Sequence, residues 1–107
     1  ADLAKAIKHA ALACLADEDC WGTYHYCGAG QTTWYGFAKE IFRVAEKFNL
    51  PVPIIYPIPT KEFPTPARRP TYSVLDTAKY TTTFGQAPRD WKDCLQEVIF
   101  EINSRSA

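Results

Sequence analysis

The chain has 107 residues, with 47% apolar and 14% aromatic side chains, and twelve basic residues balance twelve acidic ones. That composition suits one modest globular core and argues against disorder. A formal net charge of zero leaves no broad field to gather nucleic acid or an anionic membrane, so any anion site must be local.

The first segment, ADLAKAIKHAALACLAD, is helical by pattern. Leu3, Ile7, Ala11, Cys14 and Leu15 share one broad apolar face, Asp2 can cap the first turn, and the helix is expected over Leu3 to Ala16. DEDCWG reads as a turn in which Asp17, Glu18 and Asp19 form a solvated acidic loop. GTYHYCG, Gly22 to Gly28, alternates and is rich in aromatics, which predicts a strand.

Trp34, Phe37, Ala38, Ile41, Ala45 and Phe48 line one side of the next helix, capped by Thr32 or Thr33 and ended by Asn49 and Pro51. Val52 to Ile58, VPIIYPI, reads as a second strand, restricted by Pro53 and Pro57 to an edge or a short ladder. Strand, helix and strand within about forty residues make a βαβ unit with a right-handed crossover, so the expected class is α/β.

A prolyl loop follows, with Pro57, Pro59, Pro64, Pro66 and Pro70. Tyr72 to Leu75 is extended, Asp76 caps a short helix from Thr77 to about Phe84, and Gly85 closes it. A last helix starts near Asp90 with an apolar stripe of Trp91, Leu95, Val98, Ile99 and Ile102. No apolar run is long enough to span a membrane. Cys14, Cys20, Cys27 and Cys94 include no C-x-x-C pair, so no zinc knuckle is expected; they read as free, mostly buried thiols of a cytoplasmic protein.

Gly28-Ala29-Gly30 between a strand and a helix begins a dinucleotide fingerprint, but Thr33 stands where the third glycine belongs and no acidic residue ends the second strand. The bland reading is a tight turn feeding a helix cap. Tyr35 and Lys39 have the spacing of a dehydrogenase catalytic pair, yet nothing upstream gives them a cofactor to serve. His9 and His25 have no ligand or nucleophile partner in sequence.

Arg68 and Arg69 stand side by side among Pro64, Pro66 and Pro70. Guanidinium presents a rigid fork of donors that matches phosphate oxygens, and a proline-stiffened loop would hold that fork before a ligand arrives. Tyr72 and Trp34 could stack on a base or sugar, although Trp34 also sits in register with the core face of its helix. The alternative for the arginines is that one pairs with Asp76 or Glu62 while the other is solvated.

GTYHYCGAGQTTWYGFAKEIF, then PIPTKEFPTPARRPTYSVLDTAKYTTTFG, then PRDWKDCLQEVI, resembles in order the C-terminal part of the dTDP-4-dehydrorhamnose reductases, which are extended short-chain dehydrogenases. The resemblance implies a small α/β substrate-binding domain that closes over a nucleotide sugar. The family reduces dTDP-4-dehydro-L-rhamnose to dTDP-L-rhamnose for cell-surface polysaccharide. It implies NADPH or NADH bound by a separate N-terminal Rossmann domain, Mg2+ as a further ion of the family, and no cofactor, metal or catalytic residue in this chain.

By the same resemblance Arg69, with Arg68 second, meets the substrate diphosphate. Residues 1–107 are then expected to be one C-terminal domain of a longer polypeptide, inactive alone. Its partners would be the nucleotide sugar and its own Rossmann domain, with self-association through an exposed apolar face. The alternative is a non-catalytic binding module of the same fold.

Overall fold

The computed structural model describes residues 1–106. It contains four α-helices: α1 (Asp2–Ala16), α2 (Trp34–Lys47), α3 (Ala78–Phe84) and α4 (Trp91–Ser106), with short 3-10 turns at Glu18–Cys20 and Thr60–Glu62. The chain divides into two compact units. The first is Ala1–Gly30 with Val74–Cys94; the second is Gln31–Ser73 with the chain from Leu95 onward.

The expected α/β class is corrected here. The protein is 54% helical, and no strand or sheet forms among the described residues. One isolated parallel bridge, Ala29 to Asp90, is the remnant of pairing. The Gly22–Gly28 segment does alternate as its sequence suggests, with Tyr24 and Tyr26 turned inward and Thr23 and His25 exposed. Alternation reports two faces, however, and says nothing about a neighbour on either edge. The Val52–Ile58 segment fails for a different reason. In an extended chain the N–H groups of every second residue point to one edge, and Pro51, Pro53, Pro57 and Pro59 remove four of them from the same edge. Its apolar side chains stay outside: Ile54 and Tyr56 are exposed, and only Ile55 is half-buried.

The core of the first unit is aromatic rings set on a helix of small residues. Ala6 and Cys14 on α1 are buried with Tyr80 and Phe84 on α3, and Ala10, Ala13, Tyr24 and Tyr26 pack around them. The Tyr80 and Phe84 ring centres lie 4.9 Å apart, Tyr24 is 4.9 Å from Phe84, and Tyr26 meets Tyr80 edge-on at 5.0 Å, within the spacing at which such rings attract. Tyr80 donates its buried hydroxyl to the Ala6 carbonyl at 3.1 Å. Lys79 donates to the Thr23 carbonyl at 2.8 Å and lies over the Tyr24 ring.

This arrangement corrects the expected α1 face. Leu3, Ile7, Ala11 and Leu15 are exposed, and the helix instead buries its alanine side. Large rings approach a helix closely only where the helix side chains are small, so the alanines receive α3 and the leucines are left outside.

Asp2 caps nothing. It lies in the first turn of α1, where its carboxylate accepts two hydrogen bonds from the Arg89 guanidinium, at 2.7 and 2.8 Å, and one from the Cys94 thiol at 3.2 Å. These partners, Arg89 first and Cys94 second, hold the Asp2 carboxyl far below the usual carboxylate range. Burial raises the Tyr80 and Tyr26 phenols above their ordinary value.

In the second unit the caps follow the sequence closely. The Thr33 hydroxyl accepts from the Gly36 N–H at 3.0 Å and starts α2. Asn49 adopts a left-handed conformation (φ 59°), with Asn49 N–H donating to the Glu46 carbonyl and Leu50 N–H to the Ala45 carbonyl. That pair of bonds is the Schellman closure of a helix. Among the described residues Val44, Ala45 and Ile99 are the buried side chains of this unit, and Phe48, just past the end of α2, meets Phe100 of α4 at 6.0 Å between ring centres.

Candidate functional site

Among the described residues, each unit carries a feature that could hold a ligand. In the first unit an open apolar groove of about 380 Å³ runs along α1, walled by Leu3, Ile7, Tyr24, His25 and Leu75. It carries few polar groups and so lacks the convergent donors by which a site orients a polar ligand.

The second feature is the prolyl loop. Its backbone is shaped locally: the Glu62 N–H donates to the Pro59 carbonyl at 3.0 Å, and the Thr65 hydroxyl donates to the Ala67 carbonyl at 3.1 Å, immediately before Arg68. Pro64, Pro66 and Pro70 fix φ through the same stretch. Arg68 and Arg69 are both exposed, and among the described residues neither guanidinium has a hydrogen bond or an ion pair. The carboxylates that could have neutralised them are not engaged with them. Asp76 accepts from the Ala78 N–H at 2.9 Å; the helix begins one residue later than expected, with Thr77 as its N-cap and Asp76 just before it, and Glu62 makes no salt bridge among the described residues. The loop therefore carries two unpaired forks of donors on a stiff frame.

Tyr72, two residues past Pro70, is exposed and its hydroxyl donates to the Gln31 side-chain oxygen at 3.4 Å. This bond brings the end of the prolyl loop to the turn that precedes α2. Trp34, the first residue of that helix, is 88% exposed. Its register with Ile41 and Ala45 gave it a place in the core, and that face is indeed covered further along, with Ile41 half-buried and Ala45 buried, but at the first turn of the helix the indole is left exposed. Gln31 was not legible as a site residue, because a glutamine in a polar turn carries no periodicity and belongs to no motif.

The glycines of the apparent dinucleotide fingerprint have another use. Ala29 exchanges backbone bonds with the start of α4, its N–H donating to the Arg89 carbonyl at 2.8 Å and its carbonyl accepting from the Trp91 N–H at 3.0 Å. A Cβ on Gly28 would stand 3.1 Å from the Trp91 Cβ. One on Gly30, whose φ is +90°, would stand 3.1 Å from the indole Cδ1. The turn is glycine-rich so that Trp91 can lie against its backbone, and the residues present do not fit a pyrophosphate. Tyr35 is half-buried and Lys39 exposed, on a helix with no cofactor cradle before it. His9 donates its Nε2–H to the Phe84 carbonyl at 3.2 Å, and His25 lines the apolar groove. No group of three His, Cys, Asp or Glu suited to a metal occurs among the described residues. Among the described residues no cysteine forms a disulfide; Cys14 is buried and Cys20, Cys27 and Cys94 are half-buried. No described helix is long and apolar enough to cross a membrane.

Comparison with known proteins gives this arrangement a context. The chain is 35% identical over 107 residues to a dTDP-4-dehydrorhamnose reductase of Escherichia coli (strain K12), covering 98% of this chain and 36% of that protein. It is 40% identical over 80 residues to the enzyme of the same name from Aggregatibacter actinomycetemcomitans, covering 73% of this chain and 27% of that one. A third such reductase, from Burkholderia thailandensis, is 44% identical over 75 residues, covering 66% of this chain and 25% of its own length. The chain thus spans between a quarter and about a third of the length of these curated relatives. Residues 1–104 match the family model of the RmlD substrate binding domain, and the chain belongs to that family.

Proposed function

We propose that these residues are the substrate-holding part of a dTDP-4-dehydrorhamnose reductase, the enzyme that reduces the C4 keto group of dTDP-4-dehydro-L-rhamnose at the expense of NADPH or NADH. In this reading the nicotinamide cofactor and the proton donor belong to a Rossmann portion outside residues 1–107, and this chain contributes binding. Arg69, seconded by Arg68, meets the diphosphate. Trp34 and Tyr72 offer ring faces to the thymine or the sugar. The observation that carries the reading is the pair of exposed, unpaired guanidinium groups on a proline-stiffened loop, within a neutral chain of a substrate-binding family.

A flexible loop would lose conformational freedom on closing round a diphosphate; a loop already fixed by three prolines loses less, so more of each charge-assisted bond is expressed as affinity. Such a bond contributes about 1.5–3 kcal/mol. In the complete reductase, Arg69→Ala is therefore expected to raise the KM for the nucleotide sugar about 10- to 100-fold while leaving the KM for NADPH little changed. Unchanged kinetics for the nucleotide sugar would remove the arginine from the site. Because Trp34 is so exposed, Trp34→Ala should affect substrate binding and leave stability nearly intact, the reverse of what a core tryptophan would show.

A further inference from the structure

We infer that Gln31 is a positioning residue for the arginine loop, acting through the hydroxyl of Tyr72; the inference rests on the reading of Arg68 and Arg69 as the diphosphate site. The prolines and the Thr65 turn set the shape of the loop but do not fix where it sits, since a stiff segment can still swing as a body about its ends. The Tyr72–Gln31 bond, 41 residues apart in sequence, supplies a point of attachment at the loop's C-terminal end. Gln31 is a good anchor because the turn that carries it is itself held. Two residues on, Thr33 caps α2 with its side chain and accepts the Phe37 N–H on its carbonyl, and α2 is rooted by the buried Val44 and Ala45.

Tyr72 lies three residues after Arg69, within the reach over which a tether limits a neighbour's excursion, and Gln31 lies three residues before Trp34. One hydrogen bond thus joins the segment that carries the cations to the segment that carries the exposed indole. A ligand with a charged diphosphate at one end and a flat base at the other would need those two segments at a fixed separation, which is the property the bond sets. The phenol donates and the amide oxygen accepts, so Tyr72→Phe or Gln31→Ala breaks the tether while leaving the ring or the turn in place.

The test uses the complete reductase polypeptide with Gln31→Ala, Tyr72→Phe and the double variant, beside Arg69→Ala. An exposed bond of this kind predicts a rise of about 2- to 10-fold in the KM for the nucleotide sugar in each single variant. The double variant should be no worse than the poorer single one, because the two substitutions remove one interaction. Neither kcat nor the KM for NADPH should move, and the melting temperature should stay within error. Limited trypsin digestion gives an independent readout: cleavage after Lys61 and Arg68 should speed up by a similar factor in all three variants. If the two substitutions act additively, or if loop cleavage is unchanged, the tether does not exist in solution and the inference falls even with Arg69 confirmed. If Arg69→Ala leaves the KM unaltered while the tether variants still loosen the loop, the reading of the arginines falls instead.

Discussion

The helical core of the first unit and the prolyl loop of the second are ordered by opposite means. Tyr24, Tyr26, Tyr80 and Phe84 owe their positions to packing on the alanine face of α1, and each ring is held by others far away in sequence. The loop from Pro59 to Pro70 buries almost nothing; its shape comes from prolines and from two bonds that span only two or three residues. A packed core tolerates little change in volume, whereas a loop fixed by covalent geometry can expose nearly every side chain and still present them in order. Exposed cations on a stiff frame suit the capture of a soluble anion; buried rings suit the frame that carries it.

The sharpest break of that comparison is in the core. Tyr80→Ala should cost about 3–5 kcal/mol, seen as a fall in the denaturant midpoint at constant slope, while Arg69→Ala should leave the midpoint within about 0.5 kcal/mol. A loop substitution that destabilised as much as the core one would erase the distinction. A smaller effect is expected at the glycine turn: Gly30→Ala places a Cβ against the Trp91 indole at a positive φ and should cost about 1–3 kcal/mol. Unchanged stability would mean that the turn is not held against Trp91 in solution.

Acid sensitivity should map to the first unit through Asp2. Its folded value is depressed by Arg89 and Cys94, so its stabilising contribution is complete above the ordinary carboxylate value near 4 and fades as pH falls below it. Asp2→Asn should flatten that acid limb of the stability profile, and an unaltered profile would mean the ion pair is not formed in solution. The smallest effect is expected at Leu15, which the helical pattern placed in the core and which is 78% exposed. Leu15→Ala should change stability by less than about 0.5 kcal/mol; a loss above 2 kcal/mol would restore the sequence-derived face.

Much of the local structure was legible because it depends on near neighbours. Thr33, Asp76, Asn49 and Gly85 mark helix ends by chemistry that acts over a few residues, and all four sit at or beside the ends they suggest. The α1 face was not legible because the helix is apolar on more than one side, and the choice between alanines and leucines depends on the rings delivered by α3, about seventy residues later. The βαβ reading failed on pairing, which no pattern within a segment can report. At the candidate site the residue types were readable: two arginines, prolines, a tyrosine and a tryptophan. That Asp76 and Glu62 leave the arginines unpaired, and that Tyr72 reaches Gln31, are facts of three-dimensional placement.

In the proposed reading the Arg69 guanidinium, with Arg68 beside it, reads a diphosphate. This is tested most directly by calorimetric titration of the complete reductase and its Arg69→Ala variant with dTDP and with dTMP. The account predicts that the parent prefers the diphosphate by at least about 10-fold and that the variant loses most of that preference while its affinity for dTMP is nearly kept. A variant that discriminates between the two nucleotides as well as the parent does would contradict it.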